Sequence, residues 1–432
     1  MESFSTKSKH SGVGLATTWD VMKYFWAGMR HHKLSLFITL ASVLVARLFA
    51  VVIPIYYKKF FDTLGMQSSP DVLAPQLFNI IWVILGFNLI IWVGYRLGSF
   101  AVAHFQAVVI ARLKQQAFDY MIDHSFSFYS NNFTGSLVQR VNRFARAFEV
   151  LTDRIVFDIL TLATQIIGVC IVLWFVNPLI TQVLIVWVLI YLAFNYIFAR
   201  WKLKYDVKRA AKDSFTTGVL SDAISNQNTI ALFAGSNSES RNFKDVTDDQ
   251  ARFTRFVWNL QGVVDTVQSL LIFIIEFLLF YFAIKYWQQG LMTIGTFVLI
   301  QVYLVSMSGH LWDFSRVIRN VYEAVADAKE MADILKLGHE VKDSSNAKHL
   351  VVPKGEVVFS DVEFGFGEDL PVLRTVNLTI KPGEKLAIIG PSGAGKSTFV
   401  KLLLRLYDIS AGQILVDGQD IASVTQKVCG KT

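Results

Sequence analysis

Lys385-Leu-Ala-Ile-Ile-Gly-Pro-Ser-Gly-Ala-Gly-Lys-Ser-Thr398 contains a complete G-x-x-x-x-G-K-[ST] phosphate loop within a chain of 432 residues. The order of its parts carries the reading. An apolar run suited to a strand (Leu386, Ala387, Ile388, Ile389) precedes the glycines, and a helical run over 399–407 follows them. The loop itself is Gly390, Pro391, Ser392, Gly393, Ala394 and Gly395. Gly393 and Gly395 let the backbone turn N–H groups toward phosphate oxygens, and the helix starting there points its positive end at the same place. Lys396 is placed to reach the β- and γ-phosphates, the Ser397 hydroxyl to ligate Mg²⁺, and Thr398 completes the motif. The stretch predicts a nucleotide site at the opening of an α/β domain.

Upstream of this loop the chain has a different character. It is 53% hydrophobic and 17% charged, with a mean hydropathy of +0.43, as expected of a chain largely immersed in lipid. The net charge of +7 does not argue for nucleic acid, because the basic residues flank apolar spans instead of forming one patch with interleaved aromatics. Cys170 and Cys429 are too few for a disulfide framework and lack metal-ligand spacing. The first thirty residues carry no long apolar run, so the first span itself is expected to direct insertion, with no cleavable signal peptide.

Six apolar stretches, 34–57, 77–100, 155–175, 179–199, 263–286 and 294–309, approach the length that crosses about 30 Å of hydrocarbon. The last includes Gln301, Ser306 and Ser308, a polar stripe allowed where a helix faces a protein cavity. An even number of spans puts both ends on one side. Arg112, Lys114, Arg140, Arg143, Arg146 and Arg154 fall between spans two and three, and ten further basic residues from Arg200 to Arg255 between spans four and five; these segments are therefore cytoplasmic. Lys7, Lys9, Arg30 and Lys33 place the N-terminus inside as well.

Helical spacing (Phe105, Val108, Val109, Arg112, Leu113, Gln116, Ala117, Tyr120) continues past the membrane face, so the spans should run on into the cytosol and reverse near 126–135 and near 213–221. An amphipathic helix from Leu311 gives way to a polar linker, Lys342-Asp-Ser-Ser-Asn-Ala-Lys348. Residues 356–366 and 372–380 then alternate like strands, and Val416-Asp-Gly-Gln419 reads as a hairpin turn. The expected fold is a multi-pass α-helical membrane domain of six transmembrane helices with long cytoplasmic extensions, followed by the N-terminal part of an α/β P-loop nucleotide-binding domain. The expected boundaries are a cytoplasmic segment at 1–33, the membrane domain at 34–325, a linker at 326–353 and an incomplete cassette at 354–432.

Three stretches make the resemblance specific: Phe128-Tyr-Ser-Asn-Asn-Phe-Thr-Gly-Ser-Leu-Val-Gln-Arg140, Thr229-Ile-Ala-Leu-Phe-Ala-Gly235, and Pro371-Val-Leu-Arg-Thr-Val-Asn-Leu-Thr-Ile-Lys-Pro-Gly-Glu384 leading into the loop. With this order of parts the chain resembles, over nearly its whole length, the ABC half-transporters of the exporter type, including bacterial lipid and multidrug exporters. The resemblance implies ATP and Mg²⁺ as cofactors, and an ATP-hydrolysing translocase that exports a hydrophobic or amphipathic substrate (lipid, drug or peptide). It implies a second half-transporter as partner, in a homodimer or heterodimer, within the lipid of a bacterial inner (plasma) membrane. It also places Phe366 where the family has a tyrosine stacking on adenine; a phenylalanine keeps the π-face, and packing on a strand is the plainer role for the same ring.

The family continues into a glutamine loop, an LSGGQ-like signature, a second acidic strand and a switch histidine, whereas about 35 residues follow Ser397 here and Lys427-Val-Cys-Gly-Lys-Thr432 departs from the pattern. The resulting expectation is a cassette truncated by a frameshift, a stop or fragmentation, with no catalytic residue and no turnover from this chain alone. The second reading is a non-catalytic membrane subunit or fragment pairing with a full-length partner; the third is a nucleotide-gated channel.

Within the spans, Arg47 and Arg96 are read as substrate-facing or else as snorkelling or inter-helix paired, and Glu276 as a cation- or proton-linked group or else the partner of an arginine. Asn88 and Gln165 are expected to hydrogen-bond between helices. His104, His124 and His310 are too dispersed for a metal cluster, and Trp82, Trp92, Trp174, Trp187 and Trp287 read as interface anchors or lipid-facing bulk.

Overall fold

A computed structural model describes residues 14–339, 341, 343, 347–366 and 371–425; Lys7, Lys9, Lys342, linker residues 344–346, Cys429 and the Lys427-to-Thr432 ending lie outside the described residues. In chain order the helices are α1 (Thr18–Met29), α2 (Lys33–Leu64), α3 (Pro70–Ile122), α4 (Phe126–Asn131) and α5 (Thr134–Asp153), which passes through a π-helical turn (Arg154–Ile159) into α6 (Leu160–Val176). Then come α7 (Pro178–Ser225), α8 (Gln227–Leu232), α9 (Ser236–Gln288), α10 (Ile294–Trp312) and α11 (Phe314–Lys336). The chain divides into two compact units, one of Phe25–Ile110 and Arg146–Ala326, the other of Met1–Tyr24, Ala111–Ala145 and Asp327–Thr432.

Among the described residues six helical segments are long and apolar enough to cross a membrane, as the sequence predicts. In hydrocarbon only a segment that satisfies its own backbone is tolerated, and a helix does so residue by residue. At 53 residues each, α3 and α9 extend roughly 80 Å, so well over half of each lies outside a bilayer core. The first reversal falls where expected: Ser125 caps α4 by accepting the Phe128 N–H at 3.2 Å. The second does not. Residues 213–221 stay helical, the Thr216 and Thr217 hydroxyls bonding back to the carbonyls of Lys212 and Asp213, and the chain turns instead at Asn226 and Gly235 around α8. Helix α1 is a further element that the sequence reading left inside a segment without structure.

Helix packing in the spanning unit rests on small residues and a few polar pairs. Gly94 and Gly98, four apart on α3, receive α2 so closely that a Cβ on Gly94 would lie 3.1 Å from the Ala46 Cβ, and one on Gly98 3.0 Å from Ser42 Oγ. The expected inter-helix bond of Gln165 is present, its amide donating to Ser306 Oγ at 2.8 Å. Asn88 instead donates to the Ile84 carbonyl of its own helix at 2.9 Å. Trp187 is a core residue, not a lipid anchor: it is buried among α6, α7, α9 and α10 and donates its indole N–H to the Leu271 carbonyl at 2.8 Å. Trp82, Trp92, Trp174 and Trp287 are exposed as expected. The buried Tyr303 hydroxyl of α10 donates to the Val51 carbonyl of α2 at 2.7 Å.

In the other unit, strands β1 (Val357–Gly365), β2 (Pro371–Ile380), β3 (Ala411–Val416) and β4 (Gln419–Asp420) form an antiparallel sheet in the order β2-β1-β3-β4. Helix α12 (Lys396–Leu403) lies on it, with Phe399 stacked on Phe359 at 4.1 Å. The predicted hairpin turn forms, Asp417 and Gly418 both having positive φ. The Asp417 carboxylate then accepts the N–H groups of Gly355 (3.0 Å), Lys354 (2.9 Å) and Glu356 (2.8 Å), which hold it below the usual carboxylate range. The strand expected over 386–389 does not form: among the described residues nothing pairs with it, and Ile389 is 91% exposed. A run this apolar becomes a strand when neighbours bond both its edges, which local pattern does not provide.

Gly94→Val should overpack the α2–α3 contact at a cost of about 1–3 kcal/mol, seen as a lower thermal midpoint in detergent. Gly86→Val on the same helix, where an added Cβ meets nothing within 4 Å, should change little. Because the native pKa of Asp417 is lowered, its stabilisation is complete at neutral pH and is lost as the pH falls through about 4 toward the native value. Asp417→Asn should therefore flatten the acid limb of a thermal-midpoint profile recorded between about pH 7 and pH 3.

Candidate nucleotide site and membrane-domain cavity

The phosphate loop owes its shape to three glycines with positive φ: Gly390 (156°), Gly393 (86°) and Gly395 (83°). Gly395 is also the residue before α12, and a Cβ there would lie 3.1 Å from Leu373 Cδ2 and 3.2 Å from Val372 Cγ1, so β2 backs the loop directly. It brings no side chain to cap α12, which leaves the first-turn N–H groups turned to an anion. Lys396 Nζ donates to the Gly390 carbonyl at 2.8 Å and to that of Pro391 at 2.7 Å, so its ammonium lies over the loop that a phosphate would share. Pro391, Ser392, Ala394 and Ser397 are exposed, and the Ser397 hydroxyl is free to meet a cation; Thr398, by contrast, is 7% exposed and packs inward. These residues fit a nucleotide diphosphate with a divalent cation.

Helix α12 stops at Leu403 rather than continuing to 407. Arg405 adopts a left-handed φ of 49°, and its buried guanidinium donates to the Val424 carbonyl (2.8 Å), Asp408 (3.2 Å) and Asp343 (3.4 Å). This clamp holds the strained turn and returns Tyr407 to the sheet, where it meets Phe364 and Phe366, each at 5.4 Å. Phe366 packs on Phe364 at 5.0 Å yet stays 44% exposed, so it both packs the strand end and offers aromatic surface. Sequence reasoning passed over Arg405 and Tyr407, since a Leu-Arg-Leu-Tyr run reads as one more helical turn.

In the spanning unit a cavity of about 610 Å³ opens where α7, α9 and the α10–α11 junction leave the apolar spans. Arg200, Lys202, Arg209, Arg316 and Arg319 line it beside Trp258, Trp312 and Tyr322, with Asp206, Asp265 and Asp313 as the acidic members. Lys202 pairs with Asp206 at 3.3 Å and Arg316 with Asp313 at 2.9 Å, while Arg200 and Arg209 have no carboxylate within 4 Å among the described residues. A buried network floors the cavity: Asn195 Oδ1 accepts from the Gln268 amide and from Ser315 Oγ (2.6 Å).

The ionisable groups predicted within the spans are not brought together here. Arg47 of α2 lies 5.3 Å from the centre of the Tyr95 ring of α3 and pairs with no carboxylate among the described residues, so the inter-helix pairing it makes is with a ring. Arg96 is exposed. Glu276 accepts from the Gln301 amide at 3.2 Å rather than from an arginine. Among the described residues no three metal-ligating side chains cluster, although His124 and His339 meet at 4.4 Å between ring centres.

The ABC transporter transmembrane region family matches residues 36–311, and the ABC transporter family matches residues 373–431. The chain is 26% identical to the mitochondrial iron-sulfur clusters transporter atm1 of Neurospora crassa, over 94% of this chain and 57% of that one. It is 27% identical to the ATM1-type heavy metal exporter of Novosphingobium aromaticivorans (89% and 63%) and 28% identical to ATP-binding cassette sub-family B member 6 of Xenopus tropicalis (94% and 48%). It thus spans about half to two-thirds of the length of these relatives. The fold is shared with a solved bacterial Atm1-family ABC exporter with ATP bound, at a TM-score of 0.75 and 24% identity, over 92% of this chain and 70% of that one. With a family match across more than half of its length and six helices able to cross a membrane, the chain belongs to the ABC transporter family and is an integral, multi-pass membrane protein.

Proposed function

We propose that this chain supplies the membrane domain and the phosphate-gripping part of the cassette of an Atm1-type exporter, whose cargo is a metal- or cluster-bearing anion. The cavity carries the reading. Arg200 and Arg209, which have no carboxylate partner among the described residues and lie beside Trp258 and Trp312, suit an amphipathic anion, and the absence of any three-ligand cluster among the described residues speaks against a bare metal cation. The relatives' names point the same way, to iron-sulfur clusters and heavy metals instead of the lipid, drug or peptide that the sequence suggested.

ATP would be held by the loop N–H groups, Lys396 and Phe366, with Mg²⁺ on Ser397; the ion would offset phosphate charge, while the chain's own residues bind and orient. A second copy or a related half-transporter would complete the assembly. The tip around α8 supports this, since Leu232 and Phe233 are 83% and 81% exposed, more apolar surface than an isolated cytosolic loop would leave in water. The basic cytoplasmic extensions support an inward-facing N-terminus and cassette.

Lys396→Ala removes a charged phosphate contact and should weaken binding of a fluorescent ATP analogue about 10- to 100-fold without changing the thermal midpoint. For the cargo, the full chain in detergent is titrated with a Cd²⁺–dithiolate anion and, separately, with free Cd²⁺, following tryptophan emission. The anion should bind, and the Arg200→Gln/Arg209→Gln double variant should bind it about 10- to 100-fold more weakly. Equal affinity in the variant, or preference for the free cation, would overturn the cargo assignment.

A further inference from the structure

We infer that Glu276 and Gln301 form a proton-binding site within the hydrocarbon, in which the Glu276 carboxyl carries a proton and bonds it to the Gln301 amide across the contact of α9 with α10. The ligand is a proton taken from water: an O–H bond forms on a carboxylate oxygen, and the hydronium that supplies it is left as water. Both side chains belong to the spanning unit.

Glu276 lies near the middle of the fifth apolar stretch, 263–286, where an ionised carboxylate is costly and calls for a partner. Among the described residues it forms no ion pair, and the Gln301 amide donates to its Oε1 at 3.2 Å. The other glutamine amides that donate to carboxylates among the described residues do so at shorter range: Gln106 to Asp153 and Gln115 to Asp119 at 2.7 Å, Gln250 to Asp213 at 2.6 Å, and Gln261 to Asp265 at 2.8 Å. Charge on the acceptor shortens such a bond, so the longer one fits a neutral carboxyl. Gln301 Oε1 supplies an independent observation, being buried with no hydrogen bond among the described residues. An ionised carboxylate only accepts, and beside that oxygen it sets acceptor against acceptor; a protonated one carries the O–H donor that the oxygen lacks. A carboxylic acid and a primary amide then satisfy each other in a closed pair of hydrogen bonds.

Helices α7 and α10 pack on α9, and the titratable side chains that they bury within the spans are engaged elsewhere. Tyr303 donates to the Val51 carbonyl, and Tyr191 lies beside Asn195 and Asp265. On α9 itself Lys285 lies over the Tyr281 ring at 5.0 Å. Loss of the proton would leave the α9–α10 contact with opposed acceptors, so proton release and the parting of these helices are linked.

Infrared spectra of the full chain in phosphatidylcholine bilayers at neutral pH should contain a carboxylic-acid C=O band that is lost in Glu276→Gln. The band should move to higher wavenumber in Gln301→Leu, where the acid has no amide partner. A hydrophobic carbodiimide, which reacts with the acid form of a carboxyl, should label Glu276 in the parent chain. That label should fall about tenfold per pH unit above its midpoint and be unchanged by excess Na⁺. No band lost in Glu276→Gln, a band unmoved in Gln301→Leu, an absent label, or a label that Na⁺ suppresses, which marks a cation site instead, overturns the inference. Should a variant fail to fold, the pH and Na⁺ dependence of labelling in the parent chain decides alone.

Discussion

A peptide group in hydrocarbon has no water to bond, and that demand shapes the spanning unit down to single side chains. It makes every crossing a closed helix, and several polar side chains within the spans find partners of their own. Thr39 and Thr164 bond back to carbonyls of their own helices, Gln165 reaches Ser306, and the Tyr303 hydroxyl takes the Val51 carbonyl. Lipid supplies no hydrophobic drive between helices, so close approach at Gly94 and Gly98 does part of that work. The same demand leaves most charge at the level where α7, α9 and α11 emerge, and the cavity lies there.

The second unit follows a different constraint, the backbone conformation of its glycine loop. Gly393 and Gly395 adopt their positive φ without strain, and β2 lies close behind Gly395, where a Cβ would come within 3.1 Å of Leu373 Cδ2. Arg405 meets a related demand against its own preference, held left-handed by buried hydrogen bonds. The loop and the turn lie at the two ends of α12, which therefore joins the glycine loop to the aromatic group around Tyr407.

Legibility in the sequence varied with the range of the interaction. The six spans, the helix extensions beyond them, the first reversal, the 416–419 turn and the loop glycines were all readable, because each depends on residues within a few positions of one another. Misreadings occurred where a distant partner decides. Residues 386–389 look like a strand but have no described neighbour, and Trp187 looks like a lipid anchor but bonds Leu271. The second reversal failed differently, because threonines able to break a helix bonded back into it instead.

The sequence by itself determined that this chain carries six spans able to cross a membrane and a glycine loop of the phosphate-binding pattern, since apolar length and glycine spacing are local properties. Only the tertiary structure decided which basic residues line the cavity beside Trp258 and Trp312, and that Lys401 and Tyr407 converge on Phe126. Those are relations between residues far apart in the chain, and folding alone brings them within contact distance.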